Sequence, residues 1–194
     1  MPLPVIERIA TPRLVLRPVA AGDLPDLLEV NGDPEVTRFL PYAAWRSLDD
    51  AAGWLDRMDT LAAAGDARQL VLVRAADAHA IGTLLLFRHD AASARAELGY
   101  VLGRSHWGRG LMREALQAAC AHAFGALGLR RLEAEVHPDN AASWRLLERL
   151  GFMHEGTLRQ RWVAQGAPYD TRLYGRLASD RIGPADDPRE ARCT

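Results

Sequence analysis

The chain of 194 residues is long enough for one well-buried core and too short for two comfortable domains. Its formal net charge is −1, and no short window is dominated by positive side chains, so nucleic acid and anionic membranes are disfavoured as partners. All 24 residues in the lysine-plus-arginine count are arginine. The absence of lysine excludes a P-loop lysine, a Schiff-base lysine and pyridoxal chemistry.

The two cysteines, Cys120 and Cys193, lie far apart in the sequence. A disulfide framework is therefore not expected, and no spacing of histidine and cysteine suits a zinc or other metal site. The chain shows no secretory hydrophobic segment and no apolar run near 18 residues. We expect a cytoplasmic protein, monomeric or homodimeric, without a membrane partner.

The N-terminal third predicts one strand and three helices. The segment TPRLVLRPV alternates leucine with arginine, as a half-buried strand does. Asp23 is expected to cap a first helix, and Asp33–Pro34 has the form of a second helix start. Ser47 and Asp50 have the spacing of a capping box, which predicts a helix from there to about Ala64.

The rest of the chain predicts a mixed sheet. The runs RQLVLVRA, AIGTLLLFRH and RAELGYVL are separated by loops too short for a crossover helix, so they should form an antiparallel meander. A helix over 108–125, the strand LEAEV, a helix over 141–150 and strands around 153–158 and 169–177 follow. This order predicts an α/β protein of the α+β type, with helices on the faces of the sheet. The polar segment 183–194 is expected to be a disordered tail.

The segment SHWGRGLMREAL predicts an anion-binding site. Gly108, Arg109 and Gly110 lie where a strand ends and a helix begins, so the backbone can approach a ligand at the positive end of the helix dipole. A dinucleotide-binding loop is disfavoured, because Arg113 occupies the third glycine position and the preceding strand belongs to the meander. A glycine-rich turn without a ligand is the other alternative.

Two long segments, ELGYVLGRSHWGRGLMREAL and LRRLEAEVHPDNAASWRLLERLGFMHEGTLR, resemble the GNAT acetyltransferases, and specifically their RimJ/RimL-like branch. TPRLVLRP near the start and QGAPYDTRLYG near the end are similar to the opening and closing strands of that branch. The resemblance covers residues 8–178, which would form a single acetyltransferase domain. The combination of W-G-x-G, D-N-x-x-S and L-x-x-L-G-F at these spacings is specific, although each motif alone is weak.

The resemblance implies a mixed, mostly antiparallel sheet of about six or seven strands, splayed between its fourth and fifth strands, with acetyl-CoA in the gap. It also implies that a main-chain cradle holds the pyrophosphate of acetyl-CoA. The cradle consists of Trp107, Gly108, Arg109, Gly110, Leu111 and Met112. Met112 is bulkier than the last residue of the family pattern, so its side chain should point away from the phosphates.

By the same resemblance, the pantetheine arm pairs with the strand that contains Leu98, Gly99 and Tyr100, as an added strand. Asn140 and Ser143 match the D-N-x-x-S motif, where the family places polar contacts to the cofactor. Their alternative role is structural, as a helix N-cap and its first-turn partner.

Acyl transfer to an amine requires a neutral nucleophile, stabilisation of the oxyanion and a proton for the leaving thiolate. The sequence offers no nucleophile elbow and no Cys/His pair, which favours direct attack by the amine. The backbone NH of Leu98 or Tyr100 could polarise the thioester carbonyl. The resemblance makes Glu97 the candidate general base, directly or through water, with an ion-paired strand residue as the alternative. Ser143 is the candidate donor on the thiolate side.

The resemblance bounds the acceptor site by residues 31–47 and the loop around 162–169. These stretches supply aromatic residues that line either the acceptor site or the core, namely Phe39, Tyr42, Trp45, Trp162 and Tyr169. The expected acceptor is a peptide N-terminal α-amine or a small amino compound. A non-catalytic acyl-CoA-binding module is the alternative from a different class.

Overall fold

A sheet of eight strands forms the centre of the computed structural model, which describes residues 2–164 and 167–180. The strands are β1 (Ile9–Ala10), β2 (Leu14–Pro18), β3 (Arg68–Arg74), β4 (Ala80–Asp90), β5 (Arg95–Leu102), β6 (Arg131–Val136), β7 (Met153–Ala164) and β8 (Ala167–Leu177). Their spatial order is β1-β2-β3-β4-β5-β6-β8-β7, and only the β5–β6 pair is parallel. The predicted mixed sheet and its antiparallel meander are confirmed.

The strand count exceeds the prediction because of β1, a two-residue edge strand that pairs Ile9 with Leu16 and Ala10 with Val15. Two residues are too few to show the alternation by which a strand is recognised in a sequence. Because β1 adds one strand at the start, the predicted opening between the fourth and fifth strands corresponds to the junction of β5 and β6.

Helices form at all the predicted places. They are α1 (Leu24–Asn31), α2 (Pro34–Thr37), α3 (Leu48–Ala64), α4 (Leu111–Gly125) and α5 (Ala141–Arg149). The predicted cap at Asp33 is confirmed, since its carboxylate accepts a hydrogen bond from the backbone NH of Glu35 at 2.9 Å.

Asp23 and Ser47 occupy the N-cap positions of α1 and α3 as predicted, but neither side chain makes the expected cap hydrogen bond. The Ser47 side chain makes no cap hydrogen bond, and Asp50 instead accepts one from the backbone NH of Arg46 at 2.7 Å. The Asp23 carboxylate pairs with Arg17 at 2.7 Å and accepts from the backbone NH of Ala20 at 2.8 Å. In both cases the carboxylate that the sequence pattern assigned to the helix start instead pairs with a nearby arginine or accepts a hydrogen bond from a backbone NH outside the helix.

Helices cover both faces of the sheet because the strands alternate their apolar side chains. Leu70 and Leu72 of β3 pack into the core under α4 and α5, whereas Val71 and Val73 pack against α1 and α3. In β6 only one face is apolar: Leu132, Ala134 and Val136 are buried beneath α4 and α5. The opposite face of β6 therefore carries its polar residues.

The sheet opens between β5 and β6. Their parallel pairing consists of three residue pairs, Arg95–Arg131, Ala96–Leu132 and Glu97–Glu133. Beyond Glu97, β5 continues to Leu102 without a partner in β6. The two strands therefore separate toward their carboxyl ends, as the predicted splay requires, and leave backbone NH and C=O groups of β5 available for pairing.

Within residues 2–164 and 167–180, no helix combines the length and apolar character needed to cross a bilayer. Across the same ranges, no three His, Cys, Asp or Glu side chains are grouped so that they could hold a metal ion. Cys120 is buried as a free thiol. Cys193 and the predicted disordered tail at 183–194 lie outside the described residues.

Candidate active site

The predicted anion loop has an open main chain at a helix start. Gly108 and Gly110 both have φ of 71°, in the left-handed region that favours glycine, and Gly110 is the N-cap of α4. A Cβ on Gly108 would meet no atom within 4 Å. The loop thus exposes main chain where the amides of the first turn of α4 begin, an arrangement suited to a phosphate.

The loop is braced from the turn between β1 and β2 by contacts that sequence reasoning missed. Arg13 donates to the carbonyl of Arg109 at 2.9 Å and pairs with Glu114 of α4 at 2.6 Å. Thr11 also donates to Glu114, at 2.7 Å. These partners are about a hundred positions apart in the chain, so no local pattern could reveal them.

The side chains of Leu111 and Met112 are buried in the core, each 6% exposed. Met112 therefore points away from the loop, as the resemblance required. Trp107 behaves differently: its indole is exposed, while its Nε1 donates to the carbonyl of Leu102 at 2.7 Å. The cradle thus presents main chain together with one exposed aromatic ring.

The opening between β5 and β6 is bounded by the other predicted cofactor residues. Leu98, Gly99 and Tyr100 lie just beyond the last β5–β6 pair. Asn140 caps α5 by accepting a hydrogen bond from the backbone NH of Ser143 at 3.2 Å, which is the structural role considered for it. The Ser143 and Tyr100 hydroxyls lie 2.7 Å apart, so this contact joins β5 to α5. Burial raises the pKa of Tyr100, which keeps its hydroxyl protonated.

Glu97 lies at the start of the opening, on the face of β5 opposite α4. Its side chain is 7% exposed, and its Oε2 accepts a hydrogen bond from Arg88 at 2.7 Å. Burial raises the pKa of Glu97 and outweighs the lowering by Arg88. In the described part of the chain, Oε1 has no hydrogen-bond partner. Glu97 is thus an ion-paired carboxylate that keeps one oxygen available.

Glu135 is a second carboxylate in this cluster, and sequence reasoning missed it. It accepts a hydrogen bond from Trp162 Nε1 at 2.6 Å, and it contacts Arg88 at 3.3 Å and Arg161 at 3.5 Å. The alternation in LEAEV places Glu135 on the polar face of β6. However, its proximity to Glu97 follows only from knowing that β6 lies beside β5.

The predicted aromatic residues fall into two groups. Tyr42 and Trp45 pack with the core under α1 and α3, where Trp45 contacts Trp54 with ring centroids 5.3 Å apart. Phe39 and Tyr169 instead flank His137, with centroid distances of 5.0 and 4.7 Å. Of the predicted aromatic residues, only this second group and Trp162 contact Glu135 of β6 or His137 directly after it.

The chain that forms this site matches a known family. A family model described as acetyltransferase (GNAT) domain matches residues 13–153. The chain belongs to the GNAT acetyltransferase family. It is 33% identical over 178 residues to the N-acetyltransferase p20 of Bacillus licheniformis, a match covering 92% of this chain and 100% of that protein.

Two further comparisons support the RimJ/RimL-like branch. The chain is 36% identical over 97 residues to the ribosomal-protein-serine acetyltransferase of Escherichia coli, covering 50% of this chain and 54% of that protein. It also resembles the structure of Mycobacterium smegmatis RimJ in complex with CoA-disulfide, with a TM-score of 0.77 and 25% identity over 85% of this chain and 82% of that one. The protein is therefore a GNAT-type acyltransferase, as its motifs predicted, and it is similar to members of this branch.

Proposed function

We propose that the protein transfers an acetyl group from acetyl-CoA to a primary amine by direct attack, within a single domain spanning residues 8–178. The main support is the position of Glu97, a buried carboxylate with a raised pKa and one available oxygen, at the opening between β5 and β6. A general base is most effective when its pKa lies near the working pH, and burial moves Glu97 in that direction.

The residues present fit acetyl-CoA as the second substrate. The loop at the start of α4 offers amides to a pyrophosphate, and unpaired β5 offers a strand edge to an amide-containing arm. The RimJ relative was solved with a CoA derivative. We assign cofactor binding to the backbone of Trp107, Gly108, Arg109, Gly110, Leu111 and Met112, to Leu98, Gly99 and Tyr100, and to Asn140 and Ser143.

Acetyl-CoA supplies the acetyl thioester, and the residues of the chain manage the protons. The neutral amine nitrogen bonds to the acetyl carbon as the carbon–sulfur bond breaks. Glu97 Oε1 takes the proton that the nitrogen then loses, directly or through water, and the leaving thiolate takes a proton from the donor on its own side. The hydrogen-bonded pair of Ser143 and Tyr100 is positioned beside the opening to donate to the thiolate side.

The proposed acceptor is an α-amine, on a peptide N-terminus or a small amino compound. Unperturbed pKa values of about 7.7 to 8.0 for an α-amine and about 10.4 for lysine make the neutral fraction at pH 7.4 roughly 20–30% and roughly 0.1%. Glu135 is already engaged by three donors, which leaves Glu97 as the available base. A site with one base favours the acceptor that is easier to deprotonate. The name of the Escherichia coli relative also indicates a protein substrate for that enzyme.

Two matched peptides test the acceptor class. One carries a free α-amine and no lysine, and the other is N-terminally blocked with one free lysine. After limited reaction with acetyl-CoA, mass spectrometry should find faster acetylation of the α-amine peptide. Faster acetylation of the lysine peptide would contradict the proposed acceptor. Absence of CoA release with a broad panel of amines would instead favour the acyl-CoA-binding module.

A further inference from the structure

We propose that the acceptor carries a second positive charge beside its α-amine, and that Glu135 and Trp162 bind this charge. This inference rests on the proposed acetyl transfer to an α-amine and names the class of acceptor. It follows from a cation site formed by Glu135 and the Trp162 ring, which the protein's own Arg88 occupies.

The Arg88 guanidinium shows what this position recognises. It donates to Glu97 at 2.7 Å and to Glu135 at 3.3 Å, and its central carbon lies 5.5 Å from the centroid of the Trp162 ring. Trp162 Nε1 donates to Glu135 at 2.6 Å, which fixes the indole next to the carboxylate. A carboxylate beside an aromatic face binds cations through charge and through the ring quadrupole.

Arg88 can release Glu135 when another cation replaces it. The Arg88 side chain is 40% exposed and can move into water, whereas Glu135 is 11% exposed and needs a cationic partner. The contact to Glu97 is the shorter of the two, so Arg88 can remain on Glu97 while another cation takes its place at Glu135. Arg161, at 3.5 Å from Glu135 and 46% exposed, is held no more tightly.

The backbone at Arg88 is irregular in a way that serves this contact. Arg88 has φ of 50°, and the β4–β5 register shifts between Phe87 and Asp90. A non-glycine residue in the left-handed region is strained, and bulges next to active sites reorient side chains. Here the irregularity accompanies the placement of a guanidinium between the carboxylates of two separating strands.

An unpartnered hydroxyl on the same face gives independent evidence for a ligand. Thr171 Oγ1 is buried without a hydrogen-bond partner among the described residues, and the side chain is 1% exposed. Glu135 pairs with Leu173 across β6 and β8, so both face the same side of the sheet, and Thr171, two residues from Leu173, faces that side as well. Buried polar atoms are normally satisfied, so this hydroxyl has hydrogen-bonding capacity left for a ligand group on that face.

The test compares L-argininamide with L-citrullinamide as acceptors. Both present the same α-amine and carboxamide, and their side chains differ in charge while remaining similar in shape. We expect kcat/KM for argininamide to exceed that for citrullinamide by at least about tenfold, equivalent to about 1.4 kcal/mol. The Glu135→Gln substitution should reduce this ratio to near one.

Glu155→Gln is the matched control. Glu155 pairs with Arg131 on the same side of the sheet and does not contact Arg88, so its substitution should leave the ratio unchanged. If Glu135→Gln does not fold, Trp162→Phe provides a second variant, because it removes the donor to Glu135 and weakens the cation–ring contact. This variant should lower the ratio as well.

The outcomes separate this inference from the proposed function. A ratio near one in the parent protein would overturn the second-cation inference and leave the acetyl transfer standing. A high ratio that survives Glu135→Gln, or Trp162→Phe in its place, would also overturn the inference. No CoA release with either amide would overturn the proposed acceptor and this inference together.

Discussion

The two sides of the active site differ in the part of the chain that forms them. The proposed cofactor side uses main chain from one continuous segment, 107–112, at the start of α4. The proposed acceptor side uses side chains from separate elements: Arg88 of β4, Glu97 of β5, Glu135 of β6 and Trp162 of β7. Backbone amides do not titrate, whereas carboxylates do. We therefore expect the acceptor side to be sensitive to pH and to charge, and the cofactor side to be sensitive mainly to backbone conformation.

The largest expected effect follows from Glu97→Gln. A positioned proton acceptor contributes about 10²–10⁴-fold to the rate, so turnover should fall by at least about 100-fold. The affinity for acetyl-CoA should stay within about twofold, because Glu97 acts on the acceptor side and contributes to the transition state. Steady-state kinetics and calorimetric titration measure the two quantities. Equal losses in turnover and in acetyl-CoA affinity would contradict the assignment of Glu97 to the acceptor side.

Gly110→Val should affect the opposite side. A β-branched residue at φ of 71° is strained, and it would crowd the loop that binds the phosphates. We expect acetyl-CoA affinity to weaken at least tenfold, or about 1.4 kcal/mol. Gly125→Val is the matched control, since Gly125 is exposed at the end of α4 and a Cβ there meets nothing within 4 Å. Unchanged calorimetric affinity in a folded Gly110→Val protein would contradict the cradle.

Arg88→Gln should shift the pH dependence of kcat/KM. Glu97 is active as a base when ionised, so activity is lost as the pH falls through its pKa. Burial already raises the pKa of Glu97, and the hydrogen bond and charge of Arg88 lower it. Removing Arg88 should therefore raise the pKa further and move the acidic limb to higher pH.

Arg95→Gln provides the control for this shift. Arg95 is the first residue of β5 and pairs with Glu133 at 2.9 Å, without contacting Glu97. Its substitution should leave the acidic limb close to that of the parent protein. An acidic limb that stays in place in Arg88→Gln, or moves to lower pH, would show that a group other than Glu97 titrates.

The conformation of the loop at 107–112 could be predicted from the sequence because its determinants are local, while its role in cofactor binding stays a prediction. Glycines, a helix start and a preceding strand all occur within or next to SHWGRGLMREAL, and they lie together in the structure because they are adjacent in the chain. The same holds for the meander, whose strands are joined by short loops. By contrast, the brace between Arg13 and Glu114 needed tertiary information, because the two residues meet only when β2 packs beside α4.

The acceptor side could be predicted only in part. The resemblance made Glu97 the candidate base, which stays a prediction, whereas Glu135 and His137 were missed because β6 adjoins β5 and β8 only in the folded sheet. The positions of the aromatic residues were equally difficult to predict from the sequence. Tyr42 and Trp45 lie in a stretch similar in composition to that of Phe39, yet they pack with the core while Phe39 lies against His137. Composition could not divide them, since the difference depends on whether a side chain packs against α1 and α3 or against the end of β6.

The smallest expected effect concerns Asn140, which lies at the boundary between structural and cofactor roles. Its Oδ1 caps α5, so Asn140→Ala should cost about 1 kcal/mol and lower Tm by about 2–4 °C. Asn140→Asp should keep the cap, because aspartate is as good an N-cap, while removing the amide donor and adding a negative charge. If Asn140 also contacts the cofactor, Asn140→Asp will retain thermal stability in calorimetry and lose acetyl-CoA affinity. If it serves only as a cap, Asn140→Asp will match the parent in both measurements, and the polar contact to the cofactor arm would then rest on Ser143 and Tyr100.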